Sequence, residues 1–232
     1  MADAGALITQ DVAPDGSPCA VKRLRPGDIH RDDLRLRLDN EGRVLAFLAG
    51  TPGVIRLLGV REHPLALLLE WSDGGSLDER LRAGNLTGAQ RRRVALELVA
   101  VVRACHARGV THRDIKPSNV LFVAGAVRLA DFGVAAWGVA RRAVPDGWEE
   151  DEVGTPPWAA PELRRAATTQ TAPAVDVYGI ARTLAALLDI APVDRVPLVG
   201  RATGPTLSAW ITAALSEAPE RRPPLSELQR LI

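Results

Sequence analysis

The segment His112-Arg113-Asp114-Ile115-Lys116-Pro117-Ser118-Asn119 sets an Asp, a Lys and an Asn close together in a loop that follows a helix. An Asp can accept a hydroxyl proton, a Lys can neutralise a migrating phosphoryl group, and an Asn amide oxygen can ligate a hard cation. Twelve residues past Asn119, Asp131-Phe132-Gly133 ends a strand-like run with a second potential oxygen ligand. Taken singly, each of these is an ordinary polar loop cluster. Asp114, Asn119 and Asp131 at this spacing form a combination that ordinary loops do not call for.

A second pair lies upstream. Leu34, Leu38, Leu45 and Leu48 recur at helical spacing, predicting a helix over about residues 31–49, and position 41 of that apolar stripe is Glu. A carboxylate inside a buried stripe costs several kcal/mol unless a cation meets it. Period-two alternation over residues 19–24 puts Lys22 on the same face as Ala20 and Leu24, so an inward Lys and an inward Glu can form a buried ion pair. The competing reading keeps Glu41 at the stripe's edge in water, with Lys22 snorkelling to solvent.

The elements that must position these groups divide the chain in two. Residues 7–12, 19–24, 54–60 and 65–71 are short apolar runs punctuated by Pro14-Asp15-Gly16, Pro26-Gly27 and Pro52-Gly53, and read as strands around the 31–49 helix. From Ser76 onward helices dominate: 88–108, 175–188, 207–215 and 225–232, interrupted by short strands at 119–123 and 127–130. Asp73-Gly74-Gly75 is the natural hinge between a strand-rich front lobe (1–72) and a helix-rich back lobe (73–232). There is no internal repeat.

Composition sets bounds. The 232 residues are 47% hydrophobic and 25% charged, a globular balance. The net charge of +1 advertises no nucleic-acid surface. Two cysteines, Cys19 and Cys105, make no disulfide framework or metal cluster, and the start Met1-Ala-Asp-Ala-Gly lacks a signal-peptide pattern, so a cytoplasmic protein is expected. Apolar runs are short or broken by Glu97, Arg103 or Arg182, so no membrane segment is expected. Of the 29 basic residues only Lys22 and Lys116 are Lys. Either two lysines survived by chance in an Arg-rich chain, or these two positions need a compact ammonium rather than a planar fork.

In order along the chain, Ala20-Val21-Lys22, Glu41, Glu70-Trp71, His112 to Asn119, Asp131-Phe132-Gly133, Gly154-Thr155, Ala160-Pro161-Glu162, Asp176 and Arg222-Pro223 resemble the eukaryotic-like serine/threonine protein kinases, which also occur in bacteria. The resemblance covers nearly the whole chain. It implies an α+β, two-lobed fold, with a small antiparallel sheet plus one helix and a larger helical lobe. It implies transfer of the γ-phosphoryl group of ATP, with Mg2+ or alternatively Mn2+, to Ser/Thr hydroxyls of protein substrates. By the same resemblance Lys22 holds ATP phosphates and pairs with Glu41, Asp114 is the general base, and Lys116 contacts the γ-phosphate. Asn119 and Asp131 hold the metal, and Thr155 bonds the catalytic loop. Backbone groups around Glu70 and Ser72 bond adenine, Ala20 and Leu121 pack its faces, and Leu69 lines the back of the pocket. His112 belongs with Phe132, Leu45 and Leu57 in a packed stack. His106 is a core or capping residue, Asp176 accepts hydrogen bonds from the catalytic-loop backbone, and Glu162 pairs with Arg222.

Departures from the family pattern also carry expectations. Gly5 stands at the third glycine of the glycine-rich loop. The first two glycines and the first strand are missing from the sequence, which predicts weaker ATP binding and an exposed edge on the following strand. Residues 131–162 hold no Ser, Thr or Tyr except Thr155, although Arg113 is present. The acidic run at 149–152 either replaces an activating phosphate or is an ordinary solvated charge run. Residues 190–206 look abbreviated where the family usually carries a docking helix. Beside the active kinase stand two alternatives, a pseudokinase scaffold favoured by the incomplete glycine-rich loop and a small-molecule kinase. Intact Asp114, Asn119 and Asp131 argue against the first; Lys116 and the Gly-Thr to Ala-Pro-Glu segment argue against the second.

Overall fold

The computed structural model describes residues 6–137, 154–164, 173–190 and 206–232. Gly5, the acidic run 149–152 and almost all of 190–206 lie outside the described residues.

The front of the chain forms β1 (Ala6–Val12), β2 (Pro18–Leu24), β3 (Leu57–Glu62) and β4 (Leu65–Glu70), an antiparallel sheet of order β1-β2-β4-β3, with helix α1 (Asp32–Phe47) packed on it. Alternation sets the faces. Cys19, Val21, Ala66 and Leu68 form one small buried cluster with Ala13, while Ala20, Leu67 and Leu69 belong to the main core. Lys22 lies opposite Ile8 on β1 and Leu67 on β4, so it shares the core-side face, as its parity with Ala20 requires. Gly42 allows α1 to come close: a Cβ there would lie 2.9 Å from the Leu67 side chain. β1 is the sheet's edge, with Ile8 and Val12 exposed.

The back lobe is helical. α2 (Leu77–Ala83) and α3 (Gly88–Ala107) each open with a reciprocal capping box, Ser76 with Glu79 and Thr87 with Gln90. α4 (Ala174–Leu188) is buried nearly all round, and α5 (Leu207–Ala214) packs against it. Between α3 and α4 run β5 (Val110–Thr111), the antiparallel hairpin β6 (Val120–Val123) with β7 (Ala126–Leu129), and β8 (Ala136–Trp137), which pairs with β5. The hinge pairs with the hairpin: Gly74 N–H donates to Phe122 O at 3.0 Å, and Phe122 N–H donates to Gly75 O at 2.9 Å.

Three sequence expectations are corrected. The predicted 54–60 strand begins only at Leu57, because Val54 and Ile55 turn away to bond Leu129 and the register shifts between Leu57 and Gly59. The predicted 225–232 helix shrinks to α6 (Leu225–Leu228); short turns of Leu231 and Ile232 onto Leu228 O end it. Asn119 belongs to the tight turn Pro117–Asn119 rather than to the strand, which starts at Val120. Among the described residues no helix is long and apolar enough to cross a membrane.

Candidate active site

A cavity of about 830 Å³ lies between the sheet and the back lobe. The sheet contributes Ala20, Lys22, Leu69 and Glu70, the hinge Ser72, the loop after β5 Asp114, Lys116 and Asn119, β6 Leu121, and the segments beyond β7 Asp131 and Thr155. Eleven of the thirteen residues singled out from sequence therefore meet at one opening. Of the other two, Glu41 is buried behind Lys22 at 1% exposure and Gly5 lies outside the described residues.

Lys22 Nζ lies 2.8 Å from Glu41 Oε2 and donates to Asp131 Oδ1 at 2.9 Å. The buried pair foreseen from the two periodicities forms, and the edge-of-stripe alternative does not. Burial pushes the Asp131 carboxyl up, but Lys22 and more distant cations outweigh it and hold the group down at about 2. Asp131 therefore stays ionised at neutral pH.

In the loop, Lys116 Nζ donates to Asp114 Oδ2 at 2.7 Å and to Thr155 Oγ1 at 2.5 Å. Asn119 Nδ2 donates to Asp114 O at 2.9 Å and to Oδ2 at 3.2 Å. One oxygen of Asp114 is thus fully engaged. The other, Oδ1, is buried and accepts no hydrogen bond among the described residues.

The loop is held from beneath by Asp176, 1% exposed, whose Oδ1 accepts from Arg113 N–H at 2.8 Å and whose Oδ2 accepts from His112 N–H at 2.9 Å. Arg113 has φ 70° and Asp131 φ 66°, left-handed conformations that a non-glycine residue keeps only when its surroundings impose them. Gly179 lets α4 approach the loop; a Cβ there would lie 3.0 Å from Ile115 O. His112 is packed, not catalytic: Nε2 bonds Ala130 O at 3.0 Å, Nδ1 accepts from Asp114 N–H, and the ring meets Phe132 edge-on at 4.6 Å. Glu162 and Arg222 form the expected pair, at 2.5 and 2.7 Å.

Several supporting roles are not apparent from the sequence. His106, expected as a core or capping residue, is mostly buried, and its Nε2 donates to the ionised Asp176 Oδ2 at 2.8 Å. The Glu70 side chain is taken by Arg56 and Arg128, at 3.1 and 3.0 Å, and its backbone N–H donates to Arg56 O at 3.0 Å. Asn40 holds the turn after Asp131.

The residue set fits a nucleotide and a hard cation. An apolar end (Ala20, Leu69, Leu121) adjoins one that carries Lys22, Lys116 and Asp131. Among the described residues no group of three His, Cys, Asp or Glu makes a preformed metal site. Asn119 and Asp131 would therefore hold a cation jointly with phosphate and water oxygens, the usual pattern for Mg2+.

Comparison with known proteins agrees with this geometry. The protein kinase domain family matches residues 7–195. CBL-interacting protein kinase 19 of Oryza sativa subsp. japonica is 36% identical over 154 residues, covering 65% of this chain and 30% of the relative. CBL-interacting protein kinase 9 of the same plant is 33% identical over 166 residues, 68% of this chain and 36% of the relative. Calcium-dependent protein kinase 2 of Arabidopsis thaliana is 33% identical over 157 residues, 65% and 24% respectively. The chain thus spans between about a quarter and just over a third of the length of these curated relatives. A match over most of the chain, on a two-lobed fold with these residues around one cavity, places it: the chain belongs to the protein kinase domain family.

Proposed function

We propose that the protein is a serine/threonine protein kinase that transfers the γ-phosphoryl group of ATP, with Mg2+ or Mn2+, to Ser and Thr hydroxyls of protein substrates. The observation that carries the reading is Asp114, a residue lining the cavity, with one carboxylate oxygen held by Lys116 and Asn119 and the other unpartnered among the described residues. In this reading Asp114 Oδ1 accepts the proton of the substrate hydroxyl. Lys116 sets positive charge beside the reacting groups, and Thr155 fixes Lys116 and the edge of the acceptor site. Lys22, oriented by Glu41, holds phosphate oxygens; Asn119 and Asp131 hold the cation. Ala20, Leu121 and Leu69 enclose the adenine, which bonds backbone groups of Glu70 and Ser72. Nucleotide and metal together supply the activated phosphoryl group and the neutralisation of its charge.

The lobes divide between residues 72 and 73, at the hinge. The Arg-rich composition supports a bacterial-type member, while the relatives cited above are plant proteins. The acidic residues 149–152 stand in for an activating phosphate, supported by the lack of any Ser, Thr or Tyr other than Thr155 in 131–162. A cytoplasmic location is supported by cysteine usage.

The test is transfer of radiolabel from ATP to the protein itself and to a generic basic protein, comparing wild type with Asp114→Asn. Loss of the base is expected to cost roughly 10²–10⁴-fold; equal labelling by both proteins refutes the assignment.

A further inference from the structure

Asn40 stands one residue before Glu41 on α1 and is buried, yet points to a different target. Its side-chain nitrogen donates toward three backbone carbonyls, Phe132 O at 3.4 Å, Gly133 O at 3.2 Å and Ala135 O at 3.1 Å. Its oxygen accepts from Trp137 Nε1 at 3.3 Å. These partners fix the amide's orientation: turned over, it would set its oxygen against three carbonyls and its nitrogen against an N–H.

The consequence is a closed mechanical ring. Asp131 is tied through Lys22 to Glu41, and the carbonyls that follow Asp131 are tied to Asn40, the neighbouring residue of the same helix. Asp131 sits at φ 66°, a conformation the turn does not favour by itself. Two consecutive residues of α1 therefore grip both sides of a strained turn. We infer that Asn40 is a positioning residue that couples α1 to the Asp131 turn, keeping the Asp131 carboxylate turned to the cavity and holding the Trp137 indole against the helix. Asn40 touches no reacting atom and acts only through Asp131; the inference rests on the kinase reading for Asp131's role alone.

The side-chain chemistry supplies a discriminating series. Asn40→Asp keeps shape and volume but turns a donor into an anion facing three carbonyls. Asn40→Ala removes the bonds without repulsion. Trp137→Phe removes the indole N–H while keeping an aromatic ring. A positioning role makes Asn40→Asp the most damaging, Asn40→Ala intermediate and Trp137→Phe the mildest. A packing role ranks variants by the volume they lose, so Asn40→Ala would be far worse than Asn40→Leu, which keeps the volume; a positioning role makes those two comparably damaging, since both lose every hydrogen bond.

Amide hydrogen exchange on the full chain, without nucleotide, is expected to rise about tenfold or more over residues 131–137 in Asn40→Asp and Asn40→Ala, with 18–24 and 65–70 unchanged. In the transfer assay, half-saturating Mg2+ is expected to rise about tenfold and kcat to fall by about the same factor, as when a partner that orients a metal ligand is lost. Unchanged exchange over 131–137, exchange raised across the whole molecule, or the packing order of variants overturns the inference. So do normal Mg2+ dependence and kcat in an active wild-type background. If exchange responds as expected but the wild-type chain labels nothing, the kinase reading has failed and the coupling of α1 to the turn stands.

Discussion

Replacing Asp176 by Asn removes one charge and one acceptor from beneath the loop that carries Asp114 while preserving shape. Three hydrogen bonds converge on this carboxylate, from His112 N–H (2.9 Å), Arg113 N–H (2.8 Å) and His106 Nε2 (2.8 Å). An Asn side chain has one acceptor oxygen. Its best placement keeps the His112 and His106 bonds, now without charge assistance, and turns its NH2 against the Arg113 N–H. A bond to a charged group contributes about 1.5–3 kcal/mol, and a buried N–H left unpaired costs about 1–3 kcal/mol. The strain of Arg113 at φ 70°, about 1–3 kcal/mol, loses the contact that imposes it. Against these stands the desolvation of a buried carboxylate, which the amide escapes. The net expectation is a loss of about 3 kcal/mol in unfolding free energy, or a drop of about 6–12 °C in Tm for a chain of this length. Urea and thermal unfolding measure it, alongside a fall in phosphoryl transfer, because Arg113 and His112 immediately precede Asp114. Burial pushes the Asp176 carboxyl up, but the His106 bond and the other donors outweigh it and hold it below 3.8. Its stabilisation is therefore complete above about pH 4 and disappears as pH falls through the lower folded-state value. The gap between wild type and variant should narrow only in that acid range. A variant that melts within about 1 °C of wild type at pH 7 refutes the reasoning.

Lys22→Arg and Lys116→Arg should each lower phosphoryl transfer by about 10²-fold or more with the fold intact, because a planar guanidinium cannot put its charge where the ammonium meets Glu41 and Asp131, or Asp114 and Thr155. Either variant that keeps half the wild-type rate contradicts this. Glu162→Ala strips the two-point contact from Arg222, a buried guanidinium, and should cost about 3 kcal/mol in urea unfolding; a change under about 1 kcal/mol would show the pair to be dispensable. Cys19 and Cys105 are fully buried, and burial pushes the Cys105 thiol up to about 12, so Ellman's reagent at pH 8 should find neither in the native chain and both in denaturant. One fast-reacting thiol in the native chain would contradict the packing.

How far the sequence can be read depends on the range of the interaction. Glu41 and Lys22 are legible because each breaks an apolar pattern of its own element, and two elements with inward opposite charges leave few arrangements. The helix caps follow from local chemistry, as in Ser76 with Glu79 and Thr87 with Gln90. Asn40 is not legible: a polar residue next to charged neighbours on an amphipathic helix reads as surface, and its partners lie more than ninety residues away. For Glu70 the resemblance implies only a backbone role; that Arg56 and Arg128, distant in sequence, take up its carboxylate is not legible. The 225–232 run reads too long because periodicity continues past Leu228 where the backbone turns onto Leu228 O.

By itself the sequence determined the main strands and helices, though not the short α2, β5 and β8, the faces they bury and, through the ordered motifs, the family. These depend on side-chain type and on periods of two and 3.6 residues, which any stretch of chain carries locally. The tertiary structure alone decided which oxygen of Asp114 stays unpartnered among the described residues, how Asp176 imposes a left-handed Arg113, and how Asn40 and Glu41 grip the Asp131 turn from one helix. Those outcomes depend on groups as far apart as the 109 residues between Lys22 and Asp131. Packing gives such groups one joint arrangement, and no local pattern records it.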